Sequence, residues 1–302
     1  MRLAATLLLL PALALPVAAA DPPYNADTTY RKLAGAYPFI RIADARLPAG
    51  AERRAGLEYA RRDDLALALD LYLPAAAGRP APLVVLVHGG GWKSGERSEL
   101  APLATRLAAR GYAAACVDYR LSGQARYPAA VDDVREAVRW LREHAAALHI
   151  DAARVALAGA SAGGQIAALA GMTMPASVRA VVNIDGLSDF TAPEALRYED
   201  DPARKPSAAG AWFGGRYAER RALWEDASPI RHVGRDSPPL LLIVSAVPRF
   251  SAGREAMAAR LAALGVHSET VALPDTPHAF WLFDPWLEPT AGAAAGFLDR
   301  VL

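Results

Sequence analysis

The feature that most constrains the fold is a short apolar run that leads through a glycine-rich turn into a helix. "RVALA" begins at residue 154, "GASAGG" follows at 159–164, and "QIAALAGM" continues with a helical pattern. The turn centres Ser161 between Gly159 and Gly163, and glycines at these positions avoid side-chain clashes in a sharp strand-to-helix turn. Ser161 is therefore predicted to be a nucleophile at the start of a helix, whose N-terminus favours a developing negative charge.

Strand-like and helix-like segments alternate from about residue 65 to the end of the chain. Runs such as "APLVVLV" at 81–87 are continuously apolar, which is typical of strands buried on both faces of a sheet. Helical patterns cover 97–110, 127–148, 253–264 and about 290–301. This order predicts one α/β domain, residues 21–302, with a mostly parallel central sheet flanked by helices. Residues 187–236, rich in Pro, Asp, Arg and aromatics, interrupt the rhythm and are predicted to form an inserted, lid-like segment.

The first twenty residues, "MRLAATLLLLPALALPVAAA", combine an early arginine, an apolar run and small residues at the end. They are interpreted as a signal peptide cut after Ala20; the alternative, a membrane anchor, fits less well because the run is short and holds two prolines. The mature chain is expected to be periplasmic or secreted, with no membrane association. The formal net charge of +1 gives no indication of a nucleic-acid partner. Cys116 is the single cysteine, so no intrachain disulfide forms.

Two further motifs carry chemistry. "HGGGW" at 88–92 follows a buried strand, and consecutive glycines allow backbone N–H groups to approach a substrate carbonyl closely. The amides of Gly90 and Gly91 are predicted to form an oxyanion hole with that of Ala162. "DTPHAFW" supplies His278, which follows the last strand and comes after the serine in chain order, the position expected of its general base.

In this order and spacing, "HGGGW", "DYRL", "YPAAVDD", "GASAGG" and "PHAFW" resemble the α/β-hydrolase fold over roughly residues 65–302. Within it they are similar to the hormone-sensitive-lipase-like and the feruloyl and acetyl-xylan-esterase-like carboxylesterases. The resemblance implies a serine nucleophile, a histidine base, an acid partner, and neither metal nor cofactor. The Asp132-Asp133 pair recurs in such esterases and is interpreted as structural.

The acid partner of His278 departs from this pattern. In most of the resembled enzymes it follows the strand that matches "PLLLIVSA", but here residues 245–250 read "SAVPRF". Asp185, which closes the preceding strand "VRAVVNIDG", is the predicted acid. Asp275, three residues before the histidine, and a Ser-His dyad without any acid remain as alternatives, and Asp189 and Asp284 are weaker candidates.

The sequence thus predicts a secreted serine carboxylic-ester hydrolase that removes a short acyl group from an acylated carbohydrate. Trp92, Arg249 and Trp281 are predicted to contact this substrate, a small-molecule or polysaccharide ester, because aromatic rings suit sugar faces and acyl groups. A serine peptidase or amidase and a non-catalytic carbohydrate-binding relative remain as alternatives. The sequence gives no indication of the oligomeric state.

Overall fold

The structure, a computed structural model, describes residues 24–76, 78–203 and 206–302. The predicted signal peptide, residues 1–20, lies outside this range. The strands are β1 Arg41–Ile42, β2 Glu52–Arg62, β3 Leu65–Leu73, β4 Ala81–Val87, β5 Ala113–Val117, β6 Ile150–Ala160, β7 Ala180–Ile184, β8 Leu240–Val244, β9 Ser268–Ala272 and β10 Phe283–Asp284. The helices are α1 Ala26–Leu33, α2 Ala101–Ala108, α3 Ala129–Glu143, α4 Ala145–Leu148, α5 Ala162–Thr173, α6 Pro193–Glu199, α7 Ala208–Phe213, α8 Tyr217–Asp226, α9 Arg254–Ala263 and α10 Leu287–Val301.

Eight of these strands form one sheet in the order β2-β3-β5-β4-β6-β7-β8-β9. The pairs from β5 to β9 are parallel, while β2 and β3 join the edge in antiparallel fashion. The mostly parallel sheet predicted from the sequence is therefore confirmed. The long antiparallel edge strand β2 and the short pair β1–β10 were not predicted, because they lie in or pair with residues before the regular alternation begins.

Apolar side chains fill both faces of this sheet. Helices α3, α5 and α9 contribute to one core, and α2 and α10 contribute to the other. The central strands β5, β7 and β8 are buried along their whole length, and β4 is buried at every residue except Pro82, as continuous apolar runs predict. Cys116 is a buried free thiol in β5, as expected of a small apolar side chain.

The strand order reverses direction at β4, because β5 lies on one side of it and β6 on the other. In open α/β sheets, ligands bind outside the carboxyl ends of the strands at such a reversal. The "HGGGW" segment follows β4, and Ser161 follows β6. The topology therefore places the two predicted motifs side by side at this edge of the sheet.

The segment predicted as lid-like, residues 187–236, contains the three short helices α6, α7 and α8. Four of its aromatic side chains are buried against the same core as α3 and α5; they are Phe190, Trp212, Phe213 and Trp224. Within the described ranges, none of the helices combines the length and the apolar character that a membrane span requires.

Candidate active site

Ser161 lies in a strained turn between β6 and α5. Its φ of 55° and ψ of −124° are rarely adopted by a residue with a side chain, and its N–H donates to Ile184 O at 2.8 Å. A Cβ on Gly159 would lie 2.2 Å from Gly163 O, and one on Gly163 would lie 2.0 Å from Val87 O. Only glycine fits at both positions, which explains the spacing of the motif.

Three side chains meet in one hydrogen-bonded line at this turn. Ser161 Oγ lies 2.8 Å from His278 Nε2, and His278 Nδ1 lies 2.7 Å from Asp185 Oδ2. A carboxylate can only accept, so Nδ1 carries the proton and Nε2 is the acceptor for the serine hydroxyl. The structure therefore brings together the three residues predicted as nucleophile, base and acid.

Asp185 is held by the neighbouring strand end. It follows β7 with a φ of 51°, and its N–H donates to Ile243 O at 2.8 Å. Ser245, at the end of β8, donates its hydroxyl to Asp185 Oδ2 at 2.7 Å and its N–H to Oδ1 at 3.1 Å. The position where the resembled enzymes place a carboxylate thus carries a hydrogen-bond donor to one. The alternative acid Asp275 is exposed on the surface.

The His278 ring is enclosed by aromatic side chains. Phe250 stacks on it with a centroid distance of 3.4 Å and an interplanar angle of 7°, and Trp281 meets it edge-on at 5.0 Å. Burial lowers the pKa of His278 below its ordinary value; the hydrogen bond and charge of Asp185 oppose this, and the charge of Arg249 adds to it. The imidazole is therefore neutral at neutral pH, which is the form that accepts a proton.

The glycine loop after β4 is held rigidly beside Ser161. Gly90 has a φ of 111°, its carbonyl accepts from the Ser94 amide at 3.1 Å and hydroxyl at 3.0 Å, and a Cβ there would lie 2.0 Å from Ser94 O. Ala162 is the first residue of α5, so its N–H has no acceptor within the helix. The amides predicted to hold an oxyanion therefore lie on fixed backbone next to the serine.

His88 stabilises this loop through a hydrogen bond and a stacked ring. Its Nδ1 donates to Gly89 O at 2.8 Å, its ring stacks on Tyr119 at 4.3 Å, and Tyr119 donates its hydroxyl to His88 O at 3.0 Å. Burial lowers the pKa of His88 to about 4, so the ring stays neutral. The structural role predicted for His88 agrees with these contacts.

These groups border a cavity of about 400 Å³. The insertion contributes to its wall, and so does the N-terminal segment around α1, whose part in the site the sequence analysis missed. A Cβ on Gly89 would lie 3.6 Å from the Tyr24 hydroxyl, so this tyrosine reaches the vicinity of the nucleophile. No residue of α1 is buried, so no local pattern indicated where the helix docks. The lining residues outside the hydrogen-bonded line and the glycine loop include Tyr24, Thr28, Thr29, Lys32, Leu187, Glu199, Ala208, Arg249 and Phe250.

The three predicted substrate contacts have different environments. Arg249 lines the cavity, and its contact with substrate stays a prediction. Trp92 borders the cavity, but its side chain is 4% exposed, stacks on Trp212 and donates its indole N–H to Gln165 Oε1 at 2.9 Å. Trp281 is 1% exposed and packs behind His278. We therefore correct the prediction for Trp281, which packs in the core and is absent from the cavity lining. The substrate contact of Trp92, which lines the cavity with a ring that also packs in the core, stays a prediction.

Among the residues that the structure describes, no group of three or more His, Cys, Asp or Glu side chains is arranged to hold a metal ion.

Comparison with known proteins gives consistent results. The family model BD-FAE matches residues 69–247. Esterase LipC of Mycobacterium tuberculosis is 33% identical over 273 residues, covering 79% of this chain and 63% of LipC. The ethyl acetate hydrolase of Pseudomonas putida is 34% identical over 241 residues, covering 74% of each chain.

A solved structure of a bifunctional GH43-CE protein of Bacteroides eggerthii superposes with a TM-score of 0.70 at 25% identity, over 82% of this chain and 38% of that chain. This chain spans less than two thirds of the length of the first curated relatives, namely 63% of LipC and 52% of Esterase LipQ from Mycobacterium tuberculosis. The family model covers more than half of the chain, and the matched range includes strands β4 to β8 and the turn that holds Ser161. The protein has the α/β-hydrolase fold and belongs to the BD-FAE family.

Proposed function

We propose that this protein is a secreted serine carboxylic-ester hydrolase that removes a short acyl group from an acylated carbohydrate. The observation that carries the proposal is the hydrogen-bonded line from Ser161 through His278 to Asp185, next to the amides of Gly90 and Ala162. Relatives named esterases and an ethyl acetate hydrolase support the reaction class. The predicted signal peptide supports export.

The geometry supports a two-step reaction. Ser161 Oγ attacks the ester carbonyl while its proton moves to His278 Nε2, and the loop amides hold the negative oxygen. His278 then gives this proton to the leaving alcohol, which leaves the acyl group on the serine. A water molecule, deprotonated by His278, releases the acid and restores the serine. Asp185 keeps the proton on Nδ1 and stabilises the imidazolium in both steps.

Two features support a short acyl group and a polar alcohol. Ala208 of the insertion lies 3.5 Å from the place where a Cβ on Gly91 would be, which narrows the space above the loop. The outer wall carries hydroxyl and charged groups, including those of Thr29 and Lys32. Polar groups of this kind recognise hydroxylated ligands through hydrogen bonds.

The first test is Ser161→Ala. We expect turnover of an aryl acetate to fall by about 10⁴-fold or more, because the covalent route is removed, while circular dichroism and thermal unfolding stay as in the parent protein. A fluorophosphonate should label the parent and not the variant. Retained turnover in Ser161→Ala would contradict the mechanism, and amide hydrolysis as fast as ester hydrolysis would favour a peptidase or amidase.

The second test compares two carboxylates. We expect Asp185→Asn to lower kcat by roughly 10²- to 10⁴-fold, because the amide no longer fixes the histidine tautomer. Asp275→Asn is the matched control, since Asp275 is exposed, and it should stay near the parent rate. The reverse result would assign the acid role to Asp275.

A further inference from the structure

Arg249 occupies a defined place in a stack that begins at the candidate general base. The Phe250 ring lies on the His278 ring at 3.4 Å, the Arg249 guanidinium carbon lies 3.9 Å from the Phe250 centroid, and it lies 4.8 Å from the Tyr198 centroid. Its charge is therefore held one ring away from the imidazole. Aromatic faces on two sides restrict the orientation of the guanidinium.

This cation has no acidic partner in the described part of the chain. Arg249 forms no ion pair there, although it is partly buried and lines the cavity. Aromatic faces contact the plane of a guanidinium and leave its five N–H donors without acceptors. The edge of Arg249 is thus available to a ligand that carries hydrogen-bond acceptors.

The charges around the cavity favour an anion. Its lining carries three cationic and two acidic side chains among the described residues, and one of the acids, Asp185, already accepts from His278 and Ser245. The cationic side chains are Lys32, Lys93 and Arg249. A cavity with an excess of one sign attracts the opposite charge.

The position of Arg249 also affects the chemistry. Its charge contributes to lowering the pKa of His278, so it disfavours the imidazolium that forms during the reaction. An anion bound to Arg249 would offset this effect at the moment when the imidazolium forms. Because His278 gives its proton to the leaving alcohol, the alcohol lies near His278 during the reaction, and Arg249 lines the same cavity.

We propose that the natural substrate carries a carboxylate on its alcohol part, and that Arg249 binds this carboxylate through its guanidinium. The inference rests on the proposed ester hydrolysis and names the substrate class for the same site. The substrate is an acyl ester of an acidic, hydroxylated alcohol such as a uronic acid. Arg249 is then the residue that determines specificity for the charged alcohol.

The test uses two synthetic acetate esters that differ by one charge. Both are methyl glycosides acetylated at the same hydroxyl; one has a free uronic carboxylate and the other has the corresponding carboxamide. For the parent protein, kcat/KM for the carboxylate ester should exceed that for the carboxamide ester by about 10-fold or more. The reason is that a hydrogen bond between two charged groups is stronger than one to a neutral amide. Added salt should reduce this ratio.

In Arg249→Gln the ratio should fall to about 1, and Arg249→Lys should retain part of it because a point charge replaces a fork of donors. Arg260→Gln removes one exposed positive charge on α9 and is the matched control, expected to keep the parent ratio. The ratio is measured on one protein sample, so a loss of folded protein does not alter it. With the carboxamide, the acidic limb of the pH profile should move to higher pH in Arg249→Gln, because a charge that lowers the pKa of His278 is gone.

The outcomes are distinct. If the parent releases acetate from both esters at equal kcat/KM, the inference is overturned and the proposed esterase function stands. If Arg249→Gln and Arg260→Gln reduce the ratio of the two kcat/KM values equally, Arg249 is not the binding site of the carboxylate and the inference is overturned. If neither ester is hydrolysed and fluorophosphonate fails to label Ser161, the proposed function fails and this inference falls with it.

Discussion

Ser245 and Phe250 support the candidate triad from the two ends of a single turn. Ser245 donates two hydrogen bonds to Asp185, and the Phe250 ring covers one face of His278. The turn after β8 therefore positions the acid and the base although it contains no carboxylate. Both residues act through their neighbours and are positioning residues.

Replacing the stacked ring tests this role. We expect Phe250→Leu to lower kcat on the order of 10-fold, because His278 loses the surface that fixes its orientation. It should also move the acidic limb of the kcat/KM profile to higher pH, since burial lowers the pKa of His278 and the smaller side chain exposes the imidazole. Phe250→Tyr keeps the ring and should resemble the parent. An unchanged rate and pH profile in Phe250→Leu would show that Phe250 only lines the cavity.

The positions of Ser161, His278 and Asp185 were accessible from the sequence for a common reason. Each follows a strand with an apolar pattern, and the carboxyl ends of parallel strands meet at one edge of the sheet. The environment of Trp92 was not accessible. Its ring turns inward because Gln165, 73 positions along the chain, accepts its N–H, and no local pattern records such a partner.

At the scale of elements, one buried carboxylate joins helix α3 to the segment after β5. Asp133 is 0% exposed, and it accepts from Arg120 through the backbone N–H at 3.0 Å, Nε at 2.8 Å and Nη2 at 2.8 Å. The neighbouring Asp132 is exposed and pairs with Arg135. The two aspartates that the sequence analysis treated as one structural pair therefore have very different environments.

This difference predicts two different losses of stability. Asp133→Asn should lower the free energy of unfolding on the order of 3 kcal/mol, because Arg120 loses its buried counter-charge. Asp132→Asn, the matched control on the same helix, should cost no more than about 1 kcal/mol, as for exposed ion pairs. Urea unfolding of both variants measures the difference. Equal losses would show that Asp133 contributes only as a surface charge does.

Elements with strong periodic patterns were predicted well, and the others were not. Strands β4 and β8 are continuous apolar runs, and α3 has a clear buried face along its length. Helix α1 has eight residues and no buried side chain, so its place beside the cavity depends on contacts with distant parts of the chain. Such contacts form only in the folded chain, so the sequence of a short segment does not indicate them.

At the scale of the whole molecule, the site lies where the strand order reverses, and several segments remote in sequence converge there. Glu99 is buried and interacts electrostatically with Tyr24, which lines the cavity. Among the described residues its carboxyl oxygens have no hydrogen-bond partner. Burial raises the pKa of Glu99 from 4.5 to about 8. The unfolded chain has the ordinary pKa, so between these two values the folded protein holds a proton that the unfolded chain releases.

Global stability should therefore fall as the pH rises from about 4.5 to about 8. Glu99→Gln removes the ionising group, so it should stabilise the protein by a few kcal/mol above about pH 8 and have little effect below about pH 4.5. Urea unfolding across this range measures the gap between variant and parent. Glu143→Gln is the control, because Glu143 is exposed and its charge is not among the causes of the raised pKa of Glu99. A gap that does not change with pH would mean that Glu99 is ionised in the folded protein throughout.

The position of Asp185 directly after β7 has a consequence for laboratory evolution. The interior of the β8 turn, residues 246–248, carries none of the three triad side chains, while Ser245 and Phe250 mark its two ends. A library randomised at these interior positions, with both ends and Arg249 kept, would vary the segment that leads to the cavity-lining residues Arg249 and Phe250 without exchanging the reacting groups. In relatives with a carboxylate in this turn, the same library would risk displacing the acid in many of its members.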